Sequence, residues 1–193
     1  GIIDVERRRI LRDSYGGIKP GKKDINLTDE QRVAIDAVSI SIETGQNSGF
    51  LLYGVTGSGK TEVYIRLVRH ALETGKSAII LVPEIVLTPQ MIAWFRSRFG
   101  NDLAILHSRL SSGERFDEWR RIRFGKAKIV IGARSAVFAP VENPEIIIVD
   151  EEHEQSYINE HFPQYDAREI ARMRIRREGG VLLLASATPS VLS

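Results

Sequence analysis

The sequence predicts an α/β domain built on a mainly parallel sheet with helices on both faces, and three observations carry that expectation. Residues 54–61 read GVTGSGKT, a G-x-x-x-x-G-K-[ST] loop set between a short apolar run and a helical pattern. Apolar runs then alternate with helical periodicities to the end of the chain. Ala78-Ile79-Ile80-Leu81-Val82 and Ile146-Ile147-Ile148-Val149 are continuously apolar, which is how strands covered on both faces read.

In chain order, residues 1–25 are polar, basic and broken by Gly16-Gly17 and Pro20-Gly21. They read as a linker with a short helix at 4–13, which leaves 26–193 as the folded domain. Thr28-Asp29-Glu30-Gln31 forms a capping box ahead of a helix carrying Val33, Ile35, Ala37, Val38 and Ile42. Phe50-Leu51-Leu52-Tyr53 predicts a buried strand. Val63, Tyr64, Leu67, Val68, Ala71 and Leu72 predict the helix after the loop, with Gly75 at its end. Further strands are expected at 78–82, 103–106, 128–132, 145–149 and 181–185, and further helices near 88–99, 111–124 and 166–178. Thr88-Pro89 starts the first of these helices, and Ser111 with Glu114 boxes the second.

A chain of 193 residues suits one domain with a real core. The apolar fraction of 42% and charged fraction of 27% place it with soluble globular proteins rather than disordered or membrane chains. It has no apolar run long enough to span a bilayer and no signal-peptide pattern. Cysteine is absent, which excludes disulfides and a thiolate zinc site within the chain and suits the cytoplasm. The net charge is only +2, but arginines cluster at 7–9, 120–123 and 172–177. Such clusters are either solvated helix faces or a surface for a phosphate backbone.

The loop's chemistry follows from its residue types. Gly54, Gly57 and Gly59 allow backbone angles closed to residues with a Cβ. The N–H groups around them, those of Thr56 and Ser58 included, can therefore converge on one phosphate. Lys60 adds a point charge at the β/γ-phosphates, Thr61 offers a hydroxyl to Mg²⁺, and the following helix aims its positive end at the same place. The second half of such a site is the abrupt acid at Asp150-Glu151-Glu152-His153, because ligands sit beyond the carboxyl ends of parallel strands. Asp150 is expected to hold the metal and Glu151 to polarise the attacking water. His153 is either structural or a relay to other segments. Ser186 and Thr188, in Ser186-Ala187-Thr188-Pro189, put hydroxyls at the end of the last strand, within reach of the acidic cluster.

Together these pieces resemble the first motor domain of superfamily 2 helicases: Gln31, GVTGSGKT, LVPEIVLTPQ at 81–90, IGARSAVFAP at 131–140, DEEH and SATP. GVTGSGKTEVY, LHS at 106–108 and DEEHE-x-SY make the resemblance closer to the bacterial primosomal, replication-restart helicases, from about residue 27 to the end. It implies a RecA-like P-loop NTPase lobe that uses ATP and Mg²⁺, with Gln31 reading the adenine. It also implies 3′–5′ unwinding of stalled or collapsed forks, with single-stranded and forked DNA, primosome proteins and single-stranded-DNA-binding protein as partners. His153, Ser186 and Thr188 would couple hydrolysis to movement. Pro83, Glu84, Thr88 and Gln90 match one segment lining the nucleic-acid path, and Arg134 and Ser135 match another. The stretch with Tyr157, Phe162, Tyr165 and Arg168 matches an aromatic-rich loop that senses single strands.

The chain departs from the family at Ile158-Asn159, where Lys-Gln is usual, and in lacking the family's zinc cysteines, second motor lobe and amino-terminal DNA-binding region. An excised lobe is the simplest expectation, one that binds ATP but hydrolyses it weakly without the other lobe's arginine finger. The competing readings are a GTPase-type switch, disfavoured by Gln31 and the lack of an N-K-x-D, and a nucleotide-gated DNA module without catalysis.

Overall fold

The computed structural model describes residues 26–55 and 57–189; the linker expected at 1–25, the helix at 4–13 and Thr56 lie outside them. The elements run α1 (Asp29–Glu43), β1 (Ser48–Tyr53), α2 (Lys60–Glu73), β2 (Ser77–Leu81), α3 (Pro89–Phe99), β3 (Leu103–Leu106), α4 (Ser112–Arg123), β4 (Ile129–Gly132) and β5 (Pro144–Val149). A short pair, β6 (Ile158–Asn159) and β7 (Tyr165–Asp166), precedes α5 (Ala167–Glu178) and β8 (Val181–Ser186). Both predicted capping boxes form: Thr28 and Ser111 each accept from a backbone N–H three residues on, and the Gln31 and Glu114 side chains bond back to the cap. Thr88 caps α3 in the same way, accepting from the Met91 N–H, with Pro89 in the first turn.

Six strands pair in parallel in the order β1-β8-β5-β2-β4-β3. Successive side chains of a strand face opposite ways, so each strand feeds two cores. Ala78 and Ile80, Ile146 and Ile148, Leu183 and Ala185 pack under α1, α2 and α3. Ile79 and Leu81, Ile147 and Val149, Leu182 and Leu184 pack under α4 and α5. All eight of the β2 and β5 residues in these pairs are fully buried, which is why those runs read as continuously apolar. The strand-to-helix reading of the sequence is therefore borne out, with ends moved by one or two residues. Periodicity gave no sign of the two-residue strands β6 and β7, which are too short to carry a pattern.

The open side of β3 is managed by α4. Buried Glu118 accepts the Ile105 N–H at 3.0 Å and the Arg121 guanidinium at 2.7 Å, so a strand-edge donor finds a partner inside the fold. Glu118→Ala strands that donor, and unfolding in urea is expected to show a loss of about 1–3 kcal/mol. Arg123 with Glu142, Arg172 with Glu169, and Arg174 with Glu178 and three backbone carbonyls are likewise spent within the chain. The arginine clusters at 120–123 and 172–177 are thus largely internal ties; residues 7–9 lie outside the described ones.

Candidate functional site

Parallel pairing sets the carboxyl ends of β1, β8, β5 and β2 side by side, and backbone bonds continue the ladder past them. Gly54 N donates to Ser186 O, Asp150 N to Leu81 O and Glu152 N to Ala185 O. The phosphate-loop residues and the acidic segment therefore emerge together. Gly59 has φ +83°, a conformation that favours glycine, and a Cβ there would sit 2.4 Å from Gln31 Nε2 and push that amide away from the loop. That Gln31 amide donates to Ser58 O at 2.8 Å while its oxygen accepts from Thr28 N, tying α1 to the loop. Lys60 begins α2 and donates from Nζ to Gly54 O at 2.8 Å, arching over the loop, with Thr61 next to it. A cleft of about 410 Å³ opens here, lined by Thr28, Gln31, Tyr53, Val55, Ser58 and Lys60 among others.

Across from the loop, Lys60 Nζ lies 3.4 Å from Glu151 Oε1. Glu151 has φ +45°, a left-handed conformation uncommon for a residue with a side chain and of a kind that clusters at functional sites. Asp150 is buried, and among the described residues its carboxylate is bonded at Oδ1, by the Tyr64 hydroxyl at 2.7 Å and by Glu151 N at 3.1 Å. Burial pushes this carboxyl up, the adjacent Glu151 charge adds to it, and the Tyr64 bond and Lys60 charge oppose without cancelling. Burial and the Asp150 charge raise the Tyr64 hydroxyl as well, so it stays a donor. His153 Nδ1 is 2.7 Å from Ser186 Oγ, and that hydroxyl also accepts from Thr188 N at 3.0 Å. The segment after β5 is thereby joined to the end of β8.

Residues 28–193 match the family described as DEAD/DEAH box helicase. The chain belongs to that family. This helicase domain is 46% identical to the replication restart protein PriA of Bacillus subtilis over 100% of the chain, and 52% identical to that of Synechocystis over 74% of it. It spans only 24% and 17% of the length of those relatives. The sequence resemblance to the replication-restart helicases therefore holds. In fold it is similar to the RecG helicase solved on a three-way DNA junction, with TM-score 0.64 at 23% identity over 91% of this chain and 24% of that one. It is also similar to the Pyrococcus furiosus Hef helicase domain, with TM-score 0.59 at 19% identity over 82% and 33%. The RecA-like fold class is borne out by these neighbours and by the sheet itself.

The segments that the helicase resemblance assigns to nucleic acid follow the carboxyl ends of β2, β4 and β5 on the same edge of the sheet, with two corrections. Glu84, Thr88, Gln90 and Ser135 are exposed, while Pro83 is buried. Glu84 accepts a hydrogen bond from the Ser108 hydroxyl. Arg134 donates to Ile158 O at 2.6 Å, pinning the start of β6. Gly132, at the end of β4, must be glycine because a Cβ would meet Leu106 O at 2.2 Å. Tyr165 is half-buried, edge-on to Phe138 at 5.0 Å. Tyr157, expected as a stacking surface, is instead 0% exposed, and its hydroxyl donates to Leu81 O and Asp150 O. Arg168, expected on a phosphate, is spent on Asp166 and on Glu152 O at 2.7 Å. Burial would raise the Asp166 carboxyl, but the Arg168 bonds outweigh it and hold that group below its usual range. The ring that the loop does present is Phe162, 98% exposed.

Sequence reading passed over Tyr64 as one more core residue. A signal existed: four residues after Lys60, it shares that residue's face of α2, and a buried hydroxyl must find a partner. What could not be read was that the partner is Asp150, 86 residues away.

Proposed function

We propose that this chain is the ATP-binding lobe of a DNA helicase motor that serves replication restart. The observation that carries this reading is the convergence of Lys60, Asp150 and Glu151 with the His153–Ser186 bond on one edge of the sheet. The donor set suits a nucleoside triphosphate: a glycine loop that a Cβ would fill at Gly59, a lysine arching over it, and carboxylates beyond. Gly54, Thr56, Gly57, Ser58 and Gly59 wrap the phosphates, Lys60 neutralises the β/γ charge, and Gln31, already fixed to the loop, reads the adenine. Thr61 and Asp150 would hold Mg²⁺, which when bound screens the phosphate charge. Glu151 takes the proton of the attacking water.

His153, Ser186 and Thr188 pass the state of the site to β8, toward a second lobe. Glu84, Thr88, Gln90, Arg134, Ser135 and Tyr165, with Pro83 shaping their segment and Phe162 stacking on a base, form the DNA path. The relatives' name supports DNA at restarting replication as the target, and single-stranded and forked DNA in the cytoplasm extend that reading. Movement in the 3′–5′ direction and contacts with primosome and single-stranded-DNA-binding proteins extend the same reading. No described helix is long and apolar enough to cross a membrane. Where no second lobe supplies an arginine finger, worth about 10³–10⁵ in rate, the lobe hydrolyses ATP weakly.

Calorimetric titration with ATP and GTP tests the reading. ATP is expected to bind better than GTP, and Lys60→Ala to weaken it by about 1.5–3 kcal/mol, the value of a charge-assisted hydrogen bond, or roughly tenfold to a hundredfold. Equal affinity for GTP, or an indifferent Lys60→Ala, would count against it.

A further inference from the structure

We infer that Tyr64 is a positioning residue for the metal-holding carboxylate, a role that rests on the nucleotide reading above. The side chain is completely buried, and a phenylalanine would fill nearly the same volume, so packing alone does not call for the hydroxyl. A buried hydroxyl is costly unless it is bonded, and this one donates to Asp150 Oδ1 at 2.7 Å. Glu151 N donates to the same oxygen at 3.1 Å. Two donors from different elements, α2 and the turn after β5, fix the rotation of one carboxylate about its χ angles. Among the described residues no hydrogen bond falls on Oδ2, which leaves that oxygen for a cation.

The arrangement also joins two tasks mechanically. Lys60, Thr61 and Tyr64 stand on the first turns of one helix, so the element that receives the phosphates is the element that aims Asp150. A shift of α2 on phosphate binding carries the carboxylate with it, and metal and nucleotide bind as a unit. Partners that orient metal ligands are typically worth about 10–100-fold in metal affinity.

The test is Mg²⁺ titration of a fluorescent ATP analogue bound to this chain, compared with its binding in EDTA. Tyr64→Phe is expected to keep the EDTA affinity and to raise the Mg²⁺ midpoint about tenfold or more. Asp150→Asn should raise it too, and the double variant should add nothing to Asp150→Asn alone. An unchanged midpoint in Tyr64→Phe, or full additivity in the double variant, overturns the proposal. A Lys60→Ala chain that binds the analogue undiminished overturns the underlying nucleotide reading instead, so the two failures are distinct. Thermal unfolding in EDTA separates a folding defect from a lost metal effect. The unmutated fold offers a second measurement, ¹⁹F NMR with 3-fluorotyrosine at position 64. That signal is expected to shift when Mg²⁺ joins the nucleotide complex, and an unmoved signal would equally overturn the role.

Discussion

Glu151→Gln is expected to hydrolyse ATP roughly 10²–10⁴-fold more slowly than the parent chain while still binding it, the range associated with loss of a general base. The amide keeps the size of the carboxylate, so the left-handed turn at φ +45° and the packing around it should persist. What disappears is the negative charge 3.4 Å from Lys60 Nζ and, with it, the proton acceptor that the proposed mechanism requires. Removing that charge also frees Lys60 from a competing anion, so affinity for the triphosphate should hold or rise. Single-turnover hydrolysis with the chain in excess over labelled ATP measures the rate, and titration with the same nucleotide measures the binding. A passive nucleotide-gated module would show equal rates for the two proteins. A variant that lost binding and hydrolysis together would point to collapse of the turn rather than to a base.

How far the sequence alone reaches can be judged residue by residue. Local signals were legible: the capping pairs Thr28/Gln31 and Ser111/Glu114 and the Thr88-Pro89 start each depend on neighbours within a few positions, and each forms. The continuous apolar runs announced a sheet covered on both faces because burial on two sides leaves no room for alternation. The placement of Asp150 and Glu151 opposite Lys60 followed from the rule that parallel strands deliver their ends to one edge. Long-range side-chain bonds were not legible. Nothing near Tyr64 in the sequence names Asp150 as its partner, and nothing near Arg168 names the Glu152 carbonyl. Family resemblance misled at Tyr157 for a related reason: a motif assigns a role to a segment, but which aromatic of that segment faces solvent is decided by packing.

That distinction can be measured. Tyr157→Ala is expected to cost about 3–5 kcal/mol of stability, the range for deleting a buried aromatic, because the ring fills the second core and its hydroxyl bridges two strand ends. Tyr157→Phe keeps the ring and should cost about 1–3 kcal/mol, since the Leu81 and Asp150 carbonyls lose their shared donor. Phe162→Ala removes a side chain that is 98% exposed and should leave stability within about 0.5 kcal/mol. On single-stranded DNA the order inverts: Phe162→Ala is expected to lose about 1–3 kcal/mol of binding, as when one stacked base loses its aromatic platform. Urea unfolding and fluorescence anisotropy with a short oligonucleotide give the two scales. If Tyr157 were a surface platform, its alanine variant would fold as well as the parent and fail only on DNA. The fully buried ring and the bond to the Asp150 carbonyl require the opposite, which makes Tyr157 a strut between β2 and the acidic segment and makes exposed Phe162 the ring to test on DNA.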